Sequence, residues 1–284
     1  MPVRPRPVAV LALALGALLL LAGCGGSGDT QTTPAPQAPT PGRTLTVVAT
    51  TNVWGSVASA VAGPGVEVRS IIQDPAADPH SYESTPAGAA AITNADLVVY
   101  NGGGYDEWVE QILDGDPALQ GRAVEAFALR GDQAQENEHV WFDPTAVKGV
   151  VTQVADRLAA VEPAQADALR QRASTREPIA HYLLATAGVA DATPPAFSEA
   201  IENETDPPAA TLAEANQLVG TRGVNALVFN PQTETPLTTG LRDAATGAGV
   251  PVVDVTETLP AGQDYLTWLG ATRTELARAL GAPA

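Results

Sequence analysis

Apolar and polar positions along the chain alternate between two periods. Leu45-Thr-Val-Val-Ala49 is a short run rich in β-branched residues, and Val66–Ile72 and Leu97–Tyr100 are two more. Runs of this length, bounded by turn residues, predict strands. Between them lie stretches of helical spacing, around Val53–Ala62 and Pro86–Asn94, and a short one over Asp106–Leu113 with Trp108 turned inward. Strand and helix in alternation predict an α/β fold with a parallel sheet.

The longest periodic stretch begins at Pro144. Asp143 is placed to cap it and Pro144 to occupy its first position. Val147, Val151, Val154, Leu158 and Val161 recur at three- and four-residue steps, predicting one helix to about Ala173. Unbroken, it is ~45 Å long and joins two lobes. Pro163 lies inside it and is able to kink or interrupt it. Further helices are predicted at Pro178–Ala187, Ala209–Leu218 and Thr238–Gly247, with strands at Ala226–Phe229 and Pro251–Val255. An amphipathic helix over Tyr265–Leu280 closes a second, smaller α/β half.

The N-terminus has a different character. Arg4 and Arg6 precede an apolar stretch from Val8 to Ala22, with the length of a signal-peptide core. It ends in Leu21-Ala22-Gly23-Cys24, which resembles the lipobox of bacterial lipoproteins, with the Cys24 thiol as the lipidation site. Residues 24–43 are rich in Gly, Pro, Thr and Gln and predict a disordered tether. The predicted organisation is therefore a signal peptide over 1–23, a tether over 24–43, a first lobe over 44–142, a bridging helix over 143–173 and a second lobe over 174–284. It places the protein on the extracytoplasmic face of a membrane, held by lipid.

Cys24 is the only cysteine, which excludes an intrachain disulfide and a Cys-ligated zinc site. The formal net charge is −17, from 15 basic and 32 acidic residues. An acidic surface of this kind repels nucleic acid and anionic lipid. The glycines of Asn101-Gly-Gly-Gly104 lack a Walker lysine and dinucleotide spacing, so they read as a tight turn. Trp54, Trp108, Trp141 and Trp268 read as core or lobe-interface residues.

Only three histidines occur: His80, His139 and His181. His80 stands in Asp78-Pro-His-Ser-Tyr-Glu83, after a predicted strand. His139 stands in Glu138-His-Val-Trp-Phe-Asp-Pro144, before the long helix. Loops at the ends of regular elements are where α/β folds place ligand sites.

These two segments resemble the histidine motifs of the metal-binding solute-binding lipoproteins of zinc and manganese ABC transporters, the ZnuA, TroA and PsaA type. TLTVVATTNVWGSVASAVAG (44–63), ADLVVYNGGGYDEWVEQIL (95–113), GVNALVFNPQTETP (223–236) and AGVPVVDVTETLP (248–260) are similar to family segments in the same order. The resemblance implies two parallel-sheet lobes, a rigid bridging helix and a metal held in the cleft. It implies four ligands: His80, His139, Glu177 in Thr175-Arg-Glu-Pro178, and Glu257 in Val255-Thr-Glu-Thr258. It also implies a cognate ABC permease and ATPase as partners, no nucleic acid, a monomer and no enzymatic activity.

Two imidazoles and two carboxylates neutralise a divalent cation, and suit zinc, manganese or iron rather than calcium. His181, four residues beyond Glu177, reads as structural. The chain departs from the family before Glu177, where a stretch of roughly 30 residues, the length of a helix end and a strand, is absent. A truncated second lobe follows. The family's His-rich acidic loop is also missing, which leans toward manganese, while the affinity order keeps zinc a tight binder. A non-transport surface adhesin or degenerate family member is the alternative that the short second lobe supports. An extracellular zinc hydrolase needs an open water position and a general base, and no H-E-x-x-H motif occurs.

Overall fold

A computed structural model describes residues 44–134, 136–176, 191–203 and 205–281. The leader, Cys24, the tether, Glu177, His181 and the helix expected at Pro178–Ala187 lie outside the described residues. Among the described residues no helix is long and apolar enough to cross a membrane.

The first half is built on β1 (Leu45–Thr51), β2 (Val66–Ile72), β3 (Leu97–Tyr100) and β4 (Ala123–Glu125), in the order β2-β1-β3-β4, all parallel. Val47 sits opposite Val68 on one side and Leu97 on the other. Helices cover both faces of the sheet, so its central strands are apolar at successive positions. Val47, Ala49, Leu97 and Val99 face a core with α1 (Asn52–Ala62) and α5 (Pro144–Val161). Val48, Val98 and Tyr100 face α2 (Pro86–Asn94) and α3 (Glu107–Asp114), with the short α4 (Pro117–Gln120) beside them. In α3 it is Val109 and Leu113 that are buried, while Trp108 is half-buried against Tyr82, ring centroids 5.2 Å apart. Trp108 also packs against the edge of this core, as its inward placement predicted, with its indole nitrogen buried.

The stretch expected to be one bridging helix is two. α5 is capped as predicted, with the Asp143 carboxylate accepting from the Thr145 amide at 2.8 Å and Pro144 at its first position. It buries Ala146, Val150, Val151, Val154, Ala155 and Leu158, and it ends at Val161, which is exposed. Glu162 leaves helical geometry at φ −126°, ψ 75°, before Pro163. The proline ring disfavours α geometry in the preceding residue and removes an amide donor, and here both effects end the helix. α5 is thus ~27 Å long by its 18 residues. After a 3₁₀ turn, α6 (Ala166–Arg176) packs against α5, burying Leu169 in the first core. The Arg172 guanidinium donates to the Val61 and Ala62 carbonyls at the end of α1, at 2.7 and 3.0 Å.

The second half is smaller. Its helices are α7 (Pro195–Glu202), α8 (Ala209–Gly220) and α9 (Pro236–Ala248), and its parallel sheet has two three-residue strands, β5 (Leu227–Phe229) and β6 (Val252–Asp254). Its core is Phe197, Ala215, Val219, Leu241, Ala245 and Val250. α9 begins with a Thr235–Thr238 capping box and ends at Gly249, whose φ of 74° suits a residue without Cβ. The final helix, α10 (Tyr265–Ala279), returns to the first half: Leu259, Tyr265, Trp268 and Leu269 are members of the first core. Two hydrogen bonds secure this return. The Ser56 hydroxyl accepts from the Tyr265 amide at 2.9 Å, and the Tyr265 hydroxyl donates to the Trp141 carbonyl at 2.5 Å.

Candidate metal centre

The site is assembled where the C-terminal ends of β3 and β6 approach each other, and its foundation is the turn after β3. Asp106 is 2% exposed and its carboxylate accepts from the amides of Asn101 and Gly102 at 2.8 and 2.7 Å. Burial raises its pKa, and these two donors act against that shift. Gly102 takes φ 76°, and a Cβ there would stand 2.5 Å from Glu125 atoms, so the turn needs a glycine. Asn101 is fully buried. It accepts from the Trp54 indole N–H at 3.1 Å and donates to the Glu138 carbonyl at 2.8 Å. The glycine-rich turn is therefore tied to the residue just before His139, and it delivers Tyr105 to the centre.

His80 is held by a local turn in which the Asp78 carboxylate accepts from the His80 amide at 3.0 Å. Asn137 supports His139 twice. Its Oδ1 lies 3.0 Å from the backbone amide and 3.0 Å from ring Nδ1. An oxygen already accepting from an amide can only accept from the ring as well, so Nδ1 carries a proton and Nε2 is left to meet a metal ion or, when itself protonated, a carboxylate.

That partner region is Glu257, which follows β6 and is 5% exposed. His80 Nε2 is 3.2 Å from Glu257 Oε2, and His139 Nε2 is 3.8 Å from Oε1. The three side chains offer ligand atoms that all lie within 4.8 Å of one another. Ligands on a tetrahedral zinc stand roughly 3.3 Å apart, given bonds of about 2.0–2.1 Å. The His80–Glu257 spacing of 3.2 Å has that size, the His139–Glu257 spacing of 3.8 Å is wider, and nitrogen with oxygen is the donor set such an ion takes.

The carboxylate is fixed from both sides. Tyr105 donates its hydroxyl to Oε2 at 3.0 Å, and Asn230 donates its side-chain amide to Oε1 at 2.7 Å. Around this centre stands an aromatic wall. Tyr105 lies 4.8 Å from the His80 ring and 5.0 Å from Trp141, and Trp141 lies 5.1 Å from His139.

The electrostatics follow from this packing. Burial penalises a charged His80, but the hydrogen bond and negative charge of Glu257 outweigh it, with Asp78 and Glu138 adding, so its pKa is raised. For Glu257, burial favours the neutral acid. The hydrogen bonds and positive charges of His139 and His80 prevail, holding the carboxyl at about 2. Burial and the same carboxylate push the Tyr105 hydroxyl well above its ordinary range, keeping it a donor. The centre is thus a buried anion waiting for positive charge, supplied by protons on the imidazoles or by a metal ion.

Of the four residues proposed from the sequence, His80, His139 and Glu257 come together, and Glu177 lies outside the described residues. Asn137, Tyr105 and Asn230 were not anticipated. The Asn101–Gly104 stretch reads as a tight turn, but nothing local pairs Tyr105 or Asn230 with a glutamate 152 or 27 positions away. A cavity of about 560 Å³ between α1, α5, α6 and α10 is lined by residues such as Val57, Val151 and Ala155, and not by the histidines.

The chain resembles known proteins over this architecture. The manganese ABC transporter substrate-binding lipoprotein PsaA of Streptococcus pneumoniae is 27% identical over 139 residues, which are 44% of this chain and 44% of that one. The manganese-binding lipoprotein MntA of Bacillus subtilis is 27% identical over 146 residues, 49% and 47% of the two chains. Each match thus spans less than half of the relative's length. Among solved structures, the periplasmic zinc-binding protein TroA of Treponema pallidum superimposes with a TM-score of 0.63 at 21% identity, over 85% of this chain and 99% of that one. The laminin-binding protein Lmb of Streptococcus agalactiae gives 0.66 at 24% identity, over 83% and 99%. These two share the α/β two-lobe fold. A family model described as the periplasmic component A of a zinc-uptake complex matches residues 47–176 and 173–279, and this chain therefore belongs to that family of transport components, which are not enzymes.

Proposed function

We propose that the protein is an extracytoplasmic, lipid-anchored carrier that captures one divalent transition-metal ion and delivers it to an ABC importer. The observation that carries the reading is the convergence of His80, His139 and Glu257, from distant parts of the chain, within 4.8 Å. The two imidazole nitrogens and the Glu257 oxygens are the ligands in this reading, with Glu177 as the fourth and Cys24 as the lipid attachment point. Two carboxylates balance the charge of the cation, and four protein ligands leave no open position for an activated water. The cargo is zinc or manganese: relatives are named for manganese, and a structural neighbour for zinc. The cognate permease and ATPase are the partners, and the acidic surface keeps nucleic acid away.

Calorimetric titration of the metal-free protein with Zn²⁺ and with Mn²⁺ tests this. One equivalent is expected to bind, with saturable binding lost in a His80→Ala/His139→Ala double variant. Absence of saturable binding in the parent, or binding unchanged in the double variant, overturns the reading.

A further inference from the structure

The stretch Asn230-Pro231-Gln232, directly after β5, does more than turn the chain. Asn230 Oδ1 accepts from the Gln232 amide at 2.9 Å, and Pro231 opens the 3₁₀ turn, so the Gln232 side chain leaves from a constrained backbone. Its Oε1 accepts from the backbone amide of Glu257 at 2.6 Å. Its Nε2 is 2.5 Å from the Ala77 carbonyl, 3.2 Å from the Pro75 carbonyl and 2.9 Å from Thr258 Oγ1. Thr258 Oγ1 in turn donates to the same Pro75 carbonyl at 3.2 Å. Pro75 and Ala77 belong to the loop that leads directly into Asp78 and His80. A single side-chain amide therefore joins the backbone carrying Glu257 to the backbone carrying His80, across 155 residues of sequence.

We infer that Gln232 is a latch between the two ligand-bearing loops, and that it sets the rate at which the metal leaves. The inference rests on the metal-carrier reading above. Gln232 touches no ligand atom of the centre; it acts through the Glu257 amide and the Pro75 and Ala77 carbonyls, as a positioning residue. Separating His80 from Glu257 requires breaking these bonds first. The Tyr105 hydroxyl also reaches across, but to the Glu257 carboxylate itself and not to its backbone. The reciprocal pair between Asn52 and Leu259, at 3.1 and 2.8 Å, lies at the start of α1 and the approach to α10, so it belongs to the anchored end of the second half.

Two variants separate the parts. Gln232→Met keeps the length and removes every hydrogen bond. Gln232→Glu keeps an oxygen for the Glu257 amide and loses the donors to Pro75 and Ala77. Each full-length protein is loaded with one equivalent of zinc, and release into excess chelator is timed. Loss of one to two net hydrogen bonds predicts release faster by about tenfold or more in both variants, with the one-equivalent stoichiometry kept. Leu241→Ala, in the second core and outside the metal centre and the Gln232 hydrogen bonds, lowers the melting temperature while releasing zinc at the parental rate. Parental release rates in both Gln232 variants overturn the latch and leave the metal site standing. Release in Leu241→Ala as fast as in Gln232→Met also overturns it, since the effect is then one of general stability. A parent that takes up no zinc overturns the carrier reading itself, and the latch with it.

Discussion

The two sheets of this protein obey the same rules at different scales. The first has four strands, helices on both faces and a core in which Val47, Trp54, Val99 and Val154 are completely buried. The second has two strands of three residues, and Val228, in the middle of β5, is 55% exposed. A two-stranded sheet is marginal by itself, and a core of six residues adds little. The second half endures because it is attached. Its chain ends in a helix buried in the first core, and its functional residue is held by side-chain amides. The first half supplies stability through apolar burial, and the second supplies Glu257 through polar contacts.

The sharpest way to break this contrast is to excavate each core. Trp54→Ala removes one of the largest buried side chains of the first core and the indole N–H that donates to Asn101, and is expected to cost about 3–5 kcal/mol. Leu241→Ala in the second core is expected to cost about 2 kcal/mol, since a sparsely packed site collapses more easily. Denaturant unfolding of the two variants decides it, and equal losses would abolish the contrast.

A smaller effect tests the helix that carries the first core. The Asp143 carboxylate accepts from the amides of both Thr145 and Gly131, so Asp143→Ala should lower stability by ~1–2 kcal/mol. A change below a few tenths would mean that α5 is held by packing alone.

The smallest effect concerns the junction between the halves and appears as a pH dependence. Glu257 titrates near 2 in the folded protein against an ordinary 4.5, so its contribution is present above 4.5 and is lost as the pH falls toward 2. His80 is raised above 6.5, so its contribution is complete below 6.5 and is lost as the pH rises through the raised value. The metal-free protein is thus expected to gain most from this pair between about 4.5 and 6.5. Melting curves across pH should show both edges in the parent and neither in Glu257→Gln. Adding zinc should reverse the upper edge, because ligation requires neutral imidazoles.

The first sheet was legible in the sequence because buried parallel strands write themselves as continuous apolar runs. β2 and β3 stand where Val66–Ile72 and Leu97–Tyr100 were read. β4 was invisible, since three residues with one buried valine carry no period. The break at Pro163 was signalled, but the return of α6 onto α1 was not, because a guanidinium finding two helix-end carbonyls is a tertiary event. The stripe on the last helix showed that one face is covered and could not show by which core. The two histidines and Glu257 were proposed through motif and resemblance. Their supports, Tyr105, Asn137, Asn230 and Gln232, are polar residues whose meaning depends on neighbours far along the chain.

The return of α10 to the first core has a topological consequence. The domain opened by β1 is completed by the last helix, so the second sheet with its helices is an excursion inserted into a domain that begins and ends elsewhere. A polypeptide severed within that excursion still has both fragments seated in one shared interior. Tolerance of a nick, a lengthened loop or a rearranged order of segments is thereby built into the smaller half.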